Sequence, residues 1–173
     1  TLCREGIQRA GRSLRRAYEN GNDCDARNDM ALASLMGGLA LANAKLGAVH
    51  GFAGSLGGMF SAPHGAVCAR LLPYTIEANV KALLSRQPDN LALQRYIEIA
   101  RILTGNHDAI VQDGVEWIQA LCADLQIPGL STYGLTTKDI PMVISQSKTA
   151  SSMKGNPIAL SETELAHILE QSI

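Results

Sequence analysis

Apolar residues recur with helical spacing from the first residues of the chain. They occupy every third or fourth position and are Cys3, Ile7, Ala10, Leu14 and Tyr18. Steps of three and four place side chains on one face of an α-helix, so this spacing predicts an amphipathic first helix. The pattern is already under way at Thr1, which carries no initiating methionine. We therefore expect the chain to have been cut from something longer.

The segment from Asp25 to Lys45 predicts a long helix that is apolar on nearly every face. Alanine, leucine and methionine, which are strong helix formers, dominate it, and the pair Asn22–Asp23 gives a start signal. A helix that is apolar all round is usually buried on all sides. We therefore expect this helix near the centre of a bundle, where Gly37 and Gly38 let neighbouring helices approach closely.

Prolines, glycines and capping residues divide the rest of the chain into further helices. The predicted spans are Pro63–Leu83, Pro88–Gly105, Asn106–Leu125, Asp139–Thr149 and Ser161–Ser172. Pro73 is a position for a kink, and Ser161 and Glu164 have the spacing of a capping box. No run alternates β-branched and polar residues for long enough to predict a strand. The expected fold is all-α, a bundle of about six to eight helices.

Composition favours one folded domain over residues 1–173. Of the 173 residues, 46% are hydrophobic and 18% charged, which is typical of a protein with a buried core. A formal net charge of −1 removes the electrostatic argument for a nucleic-acid or anionic-membrane partner, and the densest basic cluster is only Arg12, Arg15 and Arg16. Polar residues interrupt every apolar run before membrane-spanning length. We expect a soluble, cytoplasmic protein.

The four cysteines do not suggest a zinc knuckle or a redox motif. They lie far apart, at Cys3, Cys24, Cys68 and Cys122, and form no Cys-x-x-Cys pair. We expect them to be buried, reduced thiols.

Residues 46–73 have a composition that a helical bundle does not require. The segment holds two of the four histidines and six of the sixteen glycines. Glycine costs about 1 kcal/mol in a helix interior relative to alanine. Gly51, Gly54, Gly57 and Gly58 therefore indicate a close approach to the backbone or a bend. The segment lacks the Lys-Ser/Thr ending of a phosphate-binding loop, and no predicted strand leads into it.

His50 and His64 are the candidate metal ligands of this segment. On an unbroken helix they would lie about 21 Å apart. A reversal at Gly57–Gly58 and Pro63 would let both point at the same spot, where neutral imidazoles suit Fe²⁺ or Zn²⁺. From the residues alone, a pair of core histidines is the favoured explanation and a metal site the alternative.

The other polar candidates read as surface or capping residues. His107 follows a predicted helix start, and His167 lies with Glu164 in a Glu-x-x-His pattern that usually decorates a solvated face. Asn79 and Asn156 are expected to be turn or cap residues.

Several motifs resemble the C-terminal helical domain of the iron-containing alcohol dehydrogenases. They are MALAS at 30–34, ANAKLGAVH at 42–50, PHG at 63–65, LLP at 71–73 and SSMKGNP at 151–157. The resemblance covers essentially the whole chain. It implies the fold of the dehydroquinate synthase-like group, in which an N-terminal domain binds NAD or NADP and the C-terminal helical domain holds the metal in the cleft between them.

Carried over by residue, the resemblance makes His50 and His64 the last two of four metal ligands. The first two come from an Asp-x-x-x-His motif, which this chain does not contain; the resemblance implies that they lie upstream of Thr1. Gly54 stands where many members carry a histidine close to the nicotinamide, so it is assigned to the cofactor-binding surface. No residue of the chain is assigned as catalytic. The implied cofactors are Fe²⁺ or Zn²⁺ and NAD or NADP.

The function implied by the resemblance is the metal-side half of an alcohol dehydrogenase. Such an enzyme moves a hydride between an alcohol or aldehyde and nicotinamide, and its small-molecule substrate is the expected partner. With two imidazoles and no nucleotide domain, the 173 residues alone are expected to bind metal weakly and to be inactive. The alternatives are a non-catalytic helical module retained for oligomer or partner contacts, and a relative of maleylacetate reductase or glycerol dehydrogenase.

Overall fold

A computed structural model describes all 173 residues, and these form α-helices and short 3₁₀ segments without a β-strand. The α-helices are α1 (Leu2–Glu19), α2 (Cys24–Asn43), α3 (Ala48–Met59), α4 (His64–Arg86), α5 (Ala92–Thr104), α6 (Val111–Asp124), α7 (Ile140–Ser147) and α8 (Glu162–Ser172). The 3₁₀ segments are Leu130–Tyr133, Thr137–Asp139 and Ser151–Gly155. The all-α, multi-helix prediction is confirmed. The chain divides into two compact units, residues 1–44 with 94–125 and residues 45–93 with 126–173.

In the first unit, α1 packs along α2. Small residues of α1 form the contact, since Gly6 and Ser13 are buried and a side chain added at Gly6 would touch Met36. Asp29 of α2 is the polar anchor of the pair. It accepts hydrogen bonds from Ser13 Oγ at 2.7 Å and from Arg12 Nε at 2.6 Å. The predicted first helix is confirmed, with a buried stripe that is small and polar as well as apolar.

All three arginines of the basic cluster on α1 form ion pairs within this unit. Arg12 pairs with Asp29, and Arg16 pairs with Asp23 just before α2. Arg15 pairs with Asp124 at the end of α6. These guanidinium groups join the elements of the unit to one another.

The prediction that the Asp25–Lys45 helix is buried at the centre of the bundle is wrong. The helix itself forms as expected, since the Asp23 carboxylate caps it by accepting from the Ala26 N–H at 3.0 Å. However, α2 buries only one stripe against α1, and Ala26 is its only fully buried residue. Leu35 is 59% exposed, and Leu32 and Leu39 are exposed beside it. Apolar composition predicted the helix, but it carried no information about which faces other elements cover.

Two predicted helix starts lie too early. Pro88 belongs to a turn, and α5 begins at Ala92, whose N–H donates to Asn90 Oδ1 at 2.9 Å. Asn106 opens a separate turn, in which its carbonyl accepts from the Ala109 N–H at 3.2 Å, and α6 begins only at Val111. Both errors have the same cause, because turn residues that precede a helix resemble capping residues in sequence. The predicted end of α5 at Gly105 is confirmed by its left-handed φ of +67°.

The second unit packs α3, α4, α7 and α8 around a shared core. Its fully buried side chains include Phe52, Leu56, Val67, Leu71, Leu130, Leu135, Val143, Leu165, Ile168 and Leu169. Helix α4 continues through Pro73 to Arg86 as one element. The predicted capping box of α8 is confirmed, since Ser161 Oγ accepts from the Glu164 N–H and the Glu164 carboxylate accepts from the Ser161 N–H.

By length and composition, no single helix qualifies as a membrane span. Helices α2 and α3 meet the combined criterion of length and apolar composition only when they are taken together.

Candidate metal centre

The turn between α3 and α4 creates the candidate site. Helix α3 ends at Met59, residues 60–63 reverse the chain, and Pro63 precedes the first residue of α4, His64. The extended backbone of Pro63, with φ −60° and ψ 126°, directs the chain into the new helix. The sequence placed the reversal partly at Gly57–Gly58, which is wrong, since both glycines lie inside α3.

His50 and His64 face each other across this turn. Their ring centroids are 5.4 Å apart, with the ring planes inclined at 54°. His50, in the first turn of α3, is partly buried, whereas His64 is exposed. The structure thus brings together the two histidines that the sequence singled out, and it leaves one of them open to solvent.

Cys68 is a third donor at this place, and sequence reasoning missed it. Its Sγ lies 3.4 Å from His64 Nε2. One potential ligand atom from each of His50, His64 and Cys68 falls within 4.8 Å of the others. The signal was the spacing His-x-x-x-Cys, because residues four apart share a face of a helix. A search for Cys-x-x-Cys pairs does not find this spacing, because it joins a cysteine to a histidine.

The expectation that all four cysteines are buried is also wrong. All are free thiols, but Cys3 and Cys24 are exposed, and Cys68 and Cys122 are only partly buried. Cys3 and Cys24 sit on faces of α1 and α2 that no other element covers, which hydrophobicity alone does not reveal.

Burial tunes the donors of the candidate site. It lowers the pKa of His50 below its ordinary value, and the neighbouring His64 lowers it further. Burial raises the pKa of the Cys68 thiol. A lowered pKa keeps the His50 imidazole neutral near pH 7, and the neutral form is the one that binds a metal. Two imidazoles and a sulfur suit Zn²⁺ and other borderline divalent cations. The residues present therefore fit a transition metal.

An asparagine pair fixes the start of α3 at Ala48, two residues before His50. The Ala48 N–H donates to Asn156 Oδ1 at 3.1 Å. Asn156 Nδ2 in turn donates to Asn79 Oδ1 at 2.6 Å and to the Ile158 carbonyl at 2.8 Å. Asn156 is thus the capping residue that the sequence predicted, acting on a helix 108 positions away. Asn79 is a buried partner in α4 and not a turn residue.

The glycines around the site differ in whether they leave room for a side chain. At Gly51 an added Cβ would lie 2.7 Å from Met153 Cε, so the end of that flexible side chain would have to shift. Gly155 approaches the Leu46 carbonyl so closely that any side chain would collide with it. Gly54 has no heavy atom within 4 Å of an added Cβ, and it lies one turn beyond His50 on α3. There is room at Gly54 for the larger side chain that the resemblance leads one to expect.

The remaining histidines lie on the surface, as predicted. The His107 side chain is 93% exposed in the turn before α6. His167 is exposed on α8, and Glu164 is engaged by Ser161 and Arg86. Neither histidine belongs to a cluster of metal-binding groups.

The all-α fold and the facing pair His50 and His64 are the features that the resemblance in the sequence leads one to expect of a C-terminal helical domain. The sequence profile described as "Fe-containing alcohol dehydrogenase family, C-terminal" matches residues 1–173. The chain belongs to this family. The family resemblance seen in the sequence is confirmed.

Individual relatives agree with this assignment. The chain is 34% identical to 1,3-propanediol dehydrogenase of Citrobacter freundii over 174 residues, covering 97% of this chain and 43% of that protein. It is 33% identical to alcohol dehydrogenase 4 of Schizosaccharomyces pombe over 168 residues, covering 96% and 38%. The solved alcohol dehydrogenase from Oenococcus oeni superposes with a TM-score of 0.87 at 31% identity, covering 99% of this chain and 44% of that one. The chain therefore spans less than half the length of these relatives.

Proposed function

We propose that this chain is the metal-binding half of an NAD(P)-dependent alcohol dehydrogenase, with His50 and His64 as metal ligands. The observation that carries the proposal is the pairing of these two histidines, 5.4 Å apart, across the α3–α4 turn of a chain that belongs to the iron-containing alcohol dehydrogenase family. The substrate is a small alcohol or aldehyde. Residues 1–173 act as one metal-side domain in this proposal.

The two histidines of the site differ in exposure, and their proposed roles differ accordingly. His50 is held by α3 in a partly buried position, where burial lowers its pKa and so favours the neutral form that binds a metal. His64 is exposed and borders the space through which a small molecule would enter. Fe²⁺ or Zn²⁺ held there would supply a Lewis acid that polarises an alcohol or carbonyl oxygen.

Gly54 is the proposed contact with the nicotinamide side of the reaction. It shares a face of α3 with His50, since the two are four residues apart. Without a side chain, this position offers a flat stretch of helix and no proton-carrying group. We propose that the open surface at Gly54 shapes the space in which the alcohol carbon and the nicotinamide ring meet.

Hydride transfer needs a nucleotide-binding domain, which we propose lies in a part of the polypeptide outside these 173 residues. The share of the relatives that the chain covers, 43% and 38%, supports this. The 173 residues alone are then expected to be inactive, because nothing in them holds the hydride donor.

The test uses the protein expressed from the complete reading frame that encodes this chain. Alcohol-dependent reduction of NAD or NADP is followed by absorbance for wild type, His50→Ala and His64→Ala, with His107→Ala as the control. We expect turnover in wild type and in the control, and a large loss in the other two variants. If wild type reduces neither nucleotide with any simple alcohol, the chain is a non-catalytic helical module instead.

A further inference from the structure

We propose that Cys68 is a third metal ligand, so that His50, His64 and Cys68 form a two-nitrogen, one-sulfur site within this chain. The proposal rests on the metal-binding role of the two histidines proposed above and adds a donor to it. One ligand atom from each residue lies within 4.8 Å of the others.

The distance from Cys68 to its neighbour fits a shared ion. Zn²⁺ binds imidazole nitrogen at about 2.0–2.1 Å and thiolate sulfur at about 2.3 Å, so two such ligands in a tetrahedral site lie about 3.6 Å apart. Cys68 Sγ and His64 Nε2 are 3.4 Å apart. The ligand atom of His50 lies within 4.8 Å of the other two, so side-chain rotation would bring it into the same coordination sphere.

The helix provides the arrangement. His64 opens α4 and Cys68 follows one turn later, so both project from the same face toward His50 on α3. A pair of ligands four residues apart on one helix is a recurrent way to hold zinc. The third ligand comes from a different helix, which makes the site depend on the folded α3–α4 turn.

A third ligand changes what the chain can do alone. Three protein ligands hold an ion more firmly than two imidazoles, which leave most of the coordination to water. On binding, the Cys68 thiol releases its proton to solvent and a sulfur–metal bond forms. A thiolate also favours thiophilic cations, so this site should prefer Zn²⁺ and Co²⁺ over Fe²⁺. We therefore expect the 173 residues to bind a metal more tightly than two imidazoles alone would.

Cobalt spectroscopy of the 173-residue chain tests the proposal without any enzyme assay. Co²⁺ bound to a thiolate gives a sulfur-to-metal charge-transfer band in the near ultraviolet, and tetrahedral Co²⁺ gives intense visible bands. We expect both in wild type, with one equivalent of Zn²⁺ displacing them. Cys68→Ser should lose the charge-transfer band and bind Co²⁺ more weakly than wild type.

Cys24→Ser is the matched control, since Cys24 is an exposed cysteine on α2 that belongs to no cluster of metal-binding groups. It should keep the band, and circular dichroism should show the same helix content in both variants. The proposal is overturned if wild type binds Co²⁺ without the band, if the band survives in Cys68→Ser, or if the chain binds no Co²⁺. None of these results would contradict the proposed function, which rests on His50 and His64 and not on Cys68.

Discussion

Asn79 and Asn156 form a reciprocal side-chain pair across 77 positions of sequence, each amide donating to the other. The pair lies against the start of α3, where Asn156 Oδ1 also accepts from the Ala48 N–H. Asn79 is only 2% exposed. A buried amide without its partner bears a full desolvation cost, so this pair ties α4 and the segment at 156–158 to the helix that carries His50.

Asn156→Ala should therefore loosen the α3 end of the site. It removes the cap on the Ala48 N–H and leaves the Asn79 amide short of a partner, and we expect a loss of about 2 kcal/mol in unfolding free energy. Urea denaturation measures it. Asn28→Ala, on the exposed face of α2, should change stability by less than about 0.5 kcal/mol. A loss at Asn156 no larger than at Asn28 would show that the pair does not hold α3.

Two glycine-to-alanine changes should have opposite effects. At Gly114 in α6, an added Cβ would lie 2.8 Å from Ala100 Cβ and 2.9 Å from Ala100 Cα. Because backbone must move, Gly114→Ala should destabilise by about 1–3 kcal/mol. Gly37 in α2 has no heavy atom within 4 Å of an added Cβ, so Gly37→Ala should stabilise by about 0.5–1 kcal/mol. Thermal melting of both variants checks the signs. A stabilising Gly114→Ala would mean that α5 and α6 do not approach this closely.

The Asp29 carboxylate should make the stability of the α1–α2 pair sensitive to acid. Hydrogen bonds from Arg12, and then from Ser13 and Arg9, hold its pKa far below its ordinary value. A group whose pKa is lower in the folded state stabilises the fold above its unfolded pKa of about 4. That stabilisation is lost as the pH falls further. Asp29→Asn should thus lower the melting temperature at neutral pH. The difference in melting temperature between Asp29→Asn and wild type should be smaller when both are melted at about pH 2. If this difference in melting temperature does not change with pH, the charge of Asp29 is not the cause of the stabilisation.

Gly54→His tests the surface beside the metal site. The position is open and one helical turn from His50, so the imidazole should fit and should add helix propensity. We expect unchanged metal content in the protein from the complete reading frame. The pH dependence of alcohol oxidation should change, because a new titrating group enters the space near the reaction. An unaltered pH profile and substrate range would remove Gly54 from the cofactor-binding surface.

Local signals in the sequence predicted local structure well. The capping box of Ser161 and Glu164 marked the start of α8, and Gly105 marked the end of α5, because the residues that decide these ends lie within a few positions of them. The prolines were less informative. Pro63 precedes a helix as expected, whereas Pro88 only makes a turn.

The site was predicted only in part, for a physical reason. His50 and His64 meet because residues 60–63 reverse the chain, and neither spacing nor composition fixes the angle of such a turn. Cys68 was overlooked although it lies one turn from His64 on the same helix. The burial of α2 was misjudged because apolar composition does not say which elements cover a face.

Metal content is the most direct test of the central claim that His50 and His64 hold a metal. The protein from the complete reading frame is purified, loaded with Zn²⁺ or Fe²⁺, dialysed and analysed by elemental mass spectrometry. About one metal per chain is expected in wild type and in the surface variants His107→Ala and His167→Ala. His50→Ala and His64→Ala should lose most of that metal while circular dichroism shows the fold intact. Stoichiometric metal in both of these variants would contradict the account and would mean that neither histidine is a metal ligand.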